Sequence, residues 1–326
     1  MRKIRLIQIG NEVTTTLSNV TVILERLQNE YIFELSDKTI KLDKQHSKKR
    51  NNDEYLSKLI QNYMLKNKFN LKDYPIAIID KPIVDELISV NDNVSAIIST
   101  YPFRKYSKIN IVKCLLHTIA SILPDIGSEQ ITSIHDETRR CPNDYCDKLE
   151  EMDLAISKGE YCQFCHKSMM EAVEKGIISV KNLAAIYRIL DYAADRKICF
   201  VIMPFSNTYD KIYNVIRKTM KKIGYECLRA DEIFETRNII DVVNERIIRA
   251  ELIIADLTKS SPNVFYELGY AHAYGKNTIL MAQNENDVPF DLRHRQYFIY
   301  ETGANMNDSI SSKLKMYVRT STNKEK

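Results

Sequence analysis

Two sets of side chains in this 326-residue chain have the types and spacing for chemistry. The first is a cysteine quartet, Cys141-x4-Cys146 and Cys162-x2-Cys165, its two pairs separated by fifteen residues. Two short-spaced thiol pairs, each on a tight turn, suit a tetrahedral zinc that closes the loop between them. Four thiolates leave no open coordination position, so such a Zn2+ is structural rather than catalytic. His135 and His166 lie near enough in sequence to replace one of the four. The alternative is a group of free or redox-active thiols.

The second set lies in Ala255-Asp-Leu-Thr-Lys-Ser-Ser-Pro-Asn-Val-Phe-Tyr-Glu-Leu-Gly-Tyr-Ala-His-Ala-Tyr-Gly-Lys276. Ser261 before Pro262 marks a helix start, with proline at the first helical position. Helical spacing puts Asn263, Glu267, Tyr270 and Tyr274 along one side, and Val264, Leu268 and Ala271 along the buried one. Glu267 then stands in the second turn. A fixed carboxylate there can stabilise, or attack, a sugar carbon that gains oxocarbenium character as its base departs. The plain alternative is a surface glutamate on a helix.

These residues need a frame. From Cys199 onward, apolar runs and helical patterns alternate: strands at 199–205, 226–229, 251–255, 278–282 and 296–300, with helices at 210–224, 239–250, 263–274 and 308–318. Such alternation predicts an α/β fold with a doubly wound, flavodoxin-like parallel sheet. Ligands of these sheets bind beyond the carboxyl ends of the strands. Met203-Pro204-Phe205, Arg229-Ala230-Asp231 and Asp256-Leu257-Thr258 all fall there. Met203, Phe205, Asp231, Asn263 and Tyr270 are therefore candidate substrate-binding residues, with Asp291 a further rim candidate.

The amino-terminal part reads as a second α/β domain. Ile4–Gly10, Tyr74–Asp80 and Val94–Thr100 are strand-like, and Tyr31–Leu35 is short and apolar; 17–28, 53–65, 84–90 and 109–123 are helix-like. Periodicity fades over 128–167, around the cysteines. Residues 168–197 are helical again, broken near Gly176. The expected division is a zinc-containing domain over 1–170, a helical linker over 171–198 and the sheet domain over 199–326.

Two resemblances bear on these motifs. The helix Leu116-His117-Thr118-Ile119-Ala120-Ser121 followed by the cysteine pairs resembles the archaemetzincin metalloproteases over roughly residues 74–170. That implies a metzincin-like α/β domain with a structural zinc. Of the family's His-Glu-x-x-His-x-x-Gly-x-x-His ligands and base, only His117 matches. Thr118, Ser121 and Gly127 stand where the glutamate and the other two histidines would be, so the scaffold lacks a hydrolytic metal site.

The segments Asp256-Leu-Thr, Pro262-Asn-Val-Phe-Tyr-Glu-Leu-Gly-Tyr-Ala-His-Ala and Gly275-Lys276 resemble the nucleoside 2-deoxyribosyltransferases and, more loosely, TIR-like domains. The resemblance implies a catalytic set of Glu267 as nucleophile or oxocarbenium stabiliser, Asp256 as sugar-orienting or base-protonating group, and Glu245 in support. It departs after the first strand, where Met203-Pro204-Phe205-Ser206-Asn207 replaces the family's glycine- or tyrosine-bearing turn. Base exchange is thus less well supported than cleavage. The fusion also resembles bacterial defence effectors that destroy nucleotides.

Composition narrows the remainder. Net charge is +4, and the basic runs at 41–50 and 217–222 have no interleaved aromatics, so nucleic-acid binding is not expected. No apolar run approaches the roughly 20 residues of a membrane span. Seven cysteines in a chain without a secretory signal pattern predict a cytoplasmic protein with reduced thiols. Cys114, Cys199 and Cys227 read as buried thiols. The expected partner is a nucleoside, nucleotide or NAD-type small molecule, with a homo-oligomer an open question. The competing function is a non-catalytic sensor of a nucleotide signal.

Overall fold

The computed structural model describes residues 3–10, 12–42, 53–70, 72–83, 89–91, 94–126, 131–132, 134–135, 137–144, 149–232 and 239–323. They form two compact units, Met1–Asp195 and Arg196–Lys326.

The first unit is built on a five-stranded sheet. Its strands are β1 (Lys3–Ile9), β2 (Ile32–Leu35), β3 (Tyr74–Ile79), β4 (Ser89–Asn91) and β5 (Ala96–Ser99), in the order β2-β1-β3-β5-β4. All pairings are parallel except β4 with β5, which is antiparallel. Strand alternation sends Ile4, Leu6, Ile76, Ile78 and Ile98 to one face. There they meet α1 (Thr14–Leu27), α4 (Ile111–Ile122) and α7 (Val180–Ala193). Ile7, Ile9, Ala77, Ile79 and Ile97 face the other way, onto Leu56, Ile60 and Met64 of α2 (Asp53–Lys66). The remaining helices of the unit are α3 (Tyr101–Tyr106), α5 (Leu149–Lys158) and α6 (Gln163–Glu174).

Three expectations need correction here. Ser89 and Val90, read as the end of a helix, belong to the edge strand β4; residues 84–88 of that stretch lie outside the described residues. A helix, α5, runs through 149–158, where no periodicity was evident. The stretch 171–198 is not a separate linker. α7 buries Leu183, Ile186, Tyr187, Ile189, Leu190 and Ala193 in the first unit's core, because its apolar residues occupy most of its circumference.

The second unit is a doubly wound parallel sheet of β6 (Ile198–Ile202), β7 (Glu226–Arg229), β8 (Leu252–Asp256), β9 (Asn277–Ala282) and β10 (Tyr297–Ile299). Its order, β10-β9-β8-β6-β7, is the flavodoxin-like arrangement, with the direction of winding reversing between β6 and β8. All four pairings are parallel. Cys199, Val201, Leu252, Ile254, Ile279 and Met281 pack beneath α8 (Asn207–Lys222) and α11 (Met306–Asn323). Phe200, Ile202, Ile253, Ala255, Leu280 and Ala282 lie under α9 (Ile239–Arg249) and α10 (Pro262–Ala273). The expected α/β class and the flavodoxin-like winding are both present.

His117 sits within α4, 6% exposed, and burial drives its imidazole down to about 4. It stays neutral and, among the described residues, belongs to no metal-ligating cluster.

Candidate functional site

The cysteine region folds into a cluster of four buried donors: His135, Cys141, Cys162 and Cys165, whose ligand atoms all lie within 4.8 Å of one another. Local structure explains how. Asp144 Oδ2 accepts from the backbone N–H groups of Arg139 and Cys141, at 2.8 and 2.9 Å, forming the turn that carries Cys141. His135 N–H donates to Asn143 O at 3.0 Å and is pinned against that turn. Cys162 is the N-cap of α6 and Cys165 lies in its first turn, so one helix start aims two thiols inward.

His135 Nε2 stands 3.2 Å from both Cys162 Sγ and Cys165 Sγ. Edges of a tetrahedral metal site with sulfur at ~2.3 Å and nitrogen at ~2.0 Å run to about 3.5–3.8 Å, so the cluster is sized for one small ion. Two further N–H groups point at the sulfurs, Cys162 N at Cys141 Sγ (3.3 Å) and Asn143 Nδ2 at Cys165 Sγ (3.7 Å). Such donors suit thiolates. With no metal, a hydrogen bond to Cys165 and burial hold the Cys141 thiol far above its ordinary range. Burial, followed by the Arg139 cation, lowers His135, keeping it neutral and able to ligate. The cluster fits a metal ion. His135, expected only as a substitute ligand, joins three of the four expected cysteines among the described residues. Cys146 lies outside the described residues, and His166 instead meets the Tyr187 hydroxyl.

In the second unit, α10 follows the carboxyl end of β8 through a short turn in which Lys259 adopts a left-handed conformation, φ 62°. Pro262 occupies the first helical turn. At the far end Gly275, φ 64°, closes the helix with bonds from its own N–H and that of Lys276 to His272 O and Ala271 O. Val264, Leu268 and Ala271 are buried as the spacing predicts. Glu267 flanks that stripe, half-buried. No hydrogen bond or ion pair with a described residue reaches its carboxyl, and burial alone lifts it to about 7. Asn263 is exposed, and Tyr270 is half-buried with its ring 4.8 Å from that of Tyr274.

Asp256 differs from Glu267 in every respect. It is 0% exposed, and Oδ1 accepts from Thr258 N (3.0 Å) and Thr258 Oγ1 (2.5 Å) while Oδ2 accepts from Tyr300 Oη (2.8 Å). Gln283 closes the ring, its N–H donating to Thr258 Oγ1 at 3.1 Å and its Nε2 to Tyr300 Oη at 3.1 Å. Burial, then the neighbouring Asp256 charge, keeps the Tyr300 phenol well above its ordinary range and hence a donor. Asp256 thus ties together the chain ends after β8, β9 and β10. Its placement is that of a group holding the rim in shape. Gln283 and Tyr300 are not legible in the sequence as members of this ring, since only the sheet brings residues so distant together; Thr258 is the near neighbour.

Glu245, also expected near the chemistry, is 4% exposed on α9, the helix that packs beside α10. Met203, Phe205 and Asp231 converge on a residue that the sequence did not single out, Arg229. Asp231 pairs with it at 2.6 Å, Met203 Sδ accepts from it at 3.9 Å, and the Phe205 ring, 53% exposed, lies 6.0 Å from its guanidinium. β6 separates β7 from β8, so the ends carrying Arg229 and Asp256 lie about 10 Å apart along the rim, two strand spacings. Asp291 follows the exposed Phe290 in a short 3-10 turn.

No family model and no curated protein matches this chain. Among solved structures it is similar to a CMP N-glycosidase from Clostridium botulinum, at 21% identity over 37% of this chain and 99% of that one, with a TM-score of 0.32. It is also similar to an archaemetzincin from Methanopyrus kandleri (12% identity; 53% and 96% covered; TM-score 0.37). A third is the C-terminal domain of glucosamine-fructose-6-phosphate aminotransferase from Francisella tularensis (11%; 96% and 80%; 0.24). The likeness is one of α/β architecture. Among the described residues no helix is long and apolar enough to cross a membrane.

Two outcomes follow from these geometries. His135→Ala is expected to remove bound metal from the purified full chain, measured by elemental analysis, and to lower its first melting transition by on the order of 10 °C; unchanged metal content would contradict the ligand assignment. Glu267 has a folded value raised from 4.5 to about 7. Its protonated form is therefore favoured by folding, and the associated stability is complete below 4.5 and lost as pH rises through 7. Glu267→Gln should accordingly stabilise the second unit at pH 8 by on the order of 2–3 kcal/mol and have little effect at pH 4, as measured by denaturant titration.

Proposed function

We propose that the second unit cleaves, or transfers from, the N-glycosidic bond of a nucleoside, nucleotide or NAD-type substrate, with Glu267 as the reacting carboxylate. The observation that carries this is the state of that side chain. It is a half-buried, partly desolvated acid without a described partner, on the helix that follows the central strand of a flavodoxin-like sheet, beside the rim where such sheets bind ligands. A structural acid would be paired, as Asp256 is. An unpaired, desolvated one is a frequent mark of a functional group.

The chemistry requires a cationic partner only at the transition state. As the bond from the sugar carbon to the base nitrogen breaks, positive charge grows on the sugar. The carboxylate of Glu267 either stabilises that charge or bonds to the carbon, and the departing base nitrogen takes a proton from solvent. Water or the ring nitrogen of a second free base then bonds to the sugar carbon and displaces the carboxylate where it had bonded. Asp256 contributes by fixing the chain ends around the site. Phe205 offers an exposed ring on which a base can stack. In the first unit we propose that His135, Cys141, Cys162 and Cys165 hold a structural Zn2+, which cross-links the turn at Cys141 to the start of α6. A nucleotide sensor without turnover is the second reading; the rim serves either, and an acid without a described partner can also accept a hydrogen bond from a bound ligand.

Release of free base from NAD, ribonucleosides, 2′-deoxyribonucleosides and their monophosphates, followed by chromatography, tests the proposal. The full chain is expected to act on one class. Glu267→Gln should lower the rate at least about 1000-fold, and kcat/KM should rise with pH through about 7 as the carboxyl ionises. Ligand-induced thermal stabilisation with no base released from any of these would favour the sensor.

A further inference from the structure

The end of β7 carries a group of side chains that the glycosidase reading uses only in part. Arg229 is 5% exposed. Its Nε and Nη2 donate to Asp231 Oδ1 and Oδ2, both at 2.6 Å, and Nη2 also donates to Asp210 Oδ1 at 2.7 Å. Its guanidinium lies 4.4 Å from the Tyr213 ring and 6.0 Å from that of Phe205. One side chain therefore ties the segment after β6 to the first two turns of α8 and to the turn after β7.

The charges say what this group can receive. One guanidinium and two carboxylates sum to −1, and the donors facing the carboxylates are already engaged. Among the described residues of this group the one cation is already committed to carboxylates, so a phosphate has no free cation of the group to meet. What does face outward is carboxylate: the Asp231 and Asp210 side chains are 37% and 49% exposed. Each oxygen keeps acceptor capacity after one bond. Burying a guanidinium is costly unless it is fully paired, and an apolar side chain would fill the space under Tyr213 without that cost. A fork that clamps a partly exposed acid at a ligand rim has a use if the position of that acid matters.

We propose that Arg229 is a positioning residue, which fixes Asp231 beside Phe205 as the acceptor for a neutral N–H or O–H donor on the substrate, so that the β7 side of the rim takes the uncharged end of a nucleoside and not its phosphate. This rests on the rim being a nucleoside site, but not on turnover there. Asp210 braces the same fork from α8. Lysine cannot reproduce the clamp, because it presents a point charge in place of two parallel donors.

The test is calorimetric binding to the full-length chain, using adenosine, inosine, cytidine, uridine, their 2′-deoxy forms and their 5′-monophosphates. Wild type, Arg229→Lys, Asp231→Asn and the double variant are compared, with a melting curve for each. The wild type should bind at least one probe. Each single variant should weaken that probe about tenfold, and the double variant no more than about threefold beyond either, because both changes disable one acceptor. Discrimination against inosine or uridine would place the donor on the base, and discrimination against the deoxy forms would place it on the sugar. Asp231→Asn alters a partly exposed side chain without changing its size, so it reports even if Arg229→Lys folds poorly. Unchanged affinity in Asp231→Asn, multiplying effects in the double variant, a loss confined to the monophosphates, or no probe bound by wild type would each overturn the assignment. Coupled loss of binding without base release would leave it standing and remove the glycosidase reading; base release with unaltered binding in the variants would do the reverse.

Discussion

The chemistry proposed for this protein depends on one unfavourable placement, the partly desolvated carboxyl of Glu267. Removing a carboxylate from water without a hydrogen bond or a cation raises its free energy, and the side chain responds by holding its proton to about pH 7. Nothing else in α10 requires an acid there. The helix is already anchored by Val264, Leu268 and Ala271 and closed by Gly275. The surrounding rim shows how the same fold treats its other acids: Asp256 receives three hydrogen bonds, and Asp231 and Asp210 share one guanidinium. Glu267 has no such support among the described residues.

The sheet makes this contrast possible. In the order β10-β9-β8-β6-β7 the winding reverses between β6 and β8, and the chain ends there diverge to opposite faces. On one side of the reversal lies the Arg229 assembly, and on the other lie the Asp256 ring and α10. Both assemblies are built from side chains that bind one another, which ties together the chain ends on each side of the reversal; Glu267 makes no such bond among the described residues.

The second unit was largely legible in the sequence because its signals are local. Apolar runs of five or six residues, such as Ile198–Ile202, alternate with amphipathic helices, and Ser261-Pro262 and Gly275 mark both ends of the critical helix. What escaped notice was non-local. Tyr300 meets Asp256 only because the sheet aligns the strands that carry them, and Arg229 looked like an ordinary strand-end residue until Asp210 and Asp231 closed on it. The first unit was harder to read. β4 has three residues and no apolar run, and α7 is apolar round most of its surface, a pattern that fits either a connector or a core helix until packing decides. Cysteine spacing pointed to the region where Cys141, Cys162 and Cys165 come together, but chain geometry brought His135 to them, held by a backbone bond to Asn143.

The most direct measurement is the titration of the Glu267 carboxyl itself, by carbon-13 NMR of glutamate-labelled full-length protein with Glu267→Gln to assign the resonance. A midpoint close to 7, insensitive to salt because no ion pair contributes, is the expected result. A midpoint near the ordinary glutamate value would mean that the carboxyl is solvated or paired, and the case for it as the reacting group would fail.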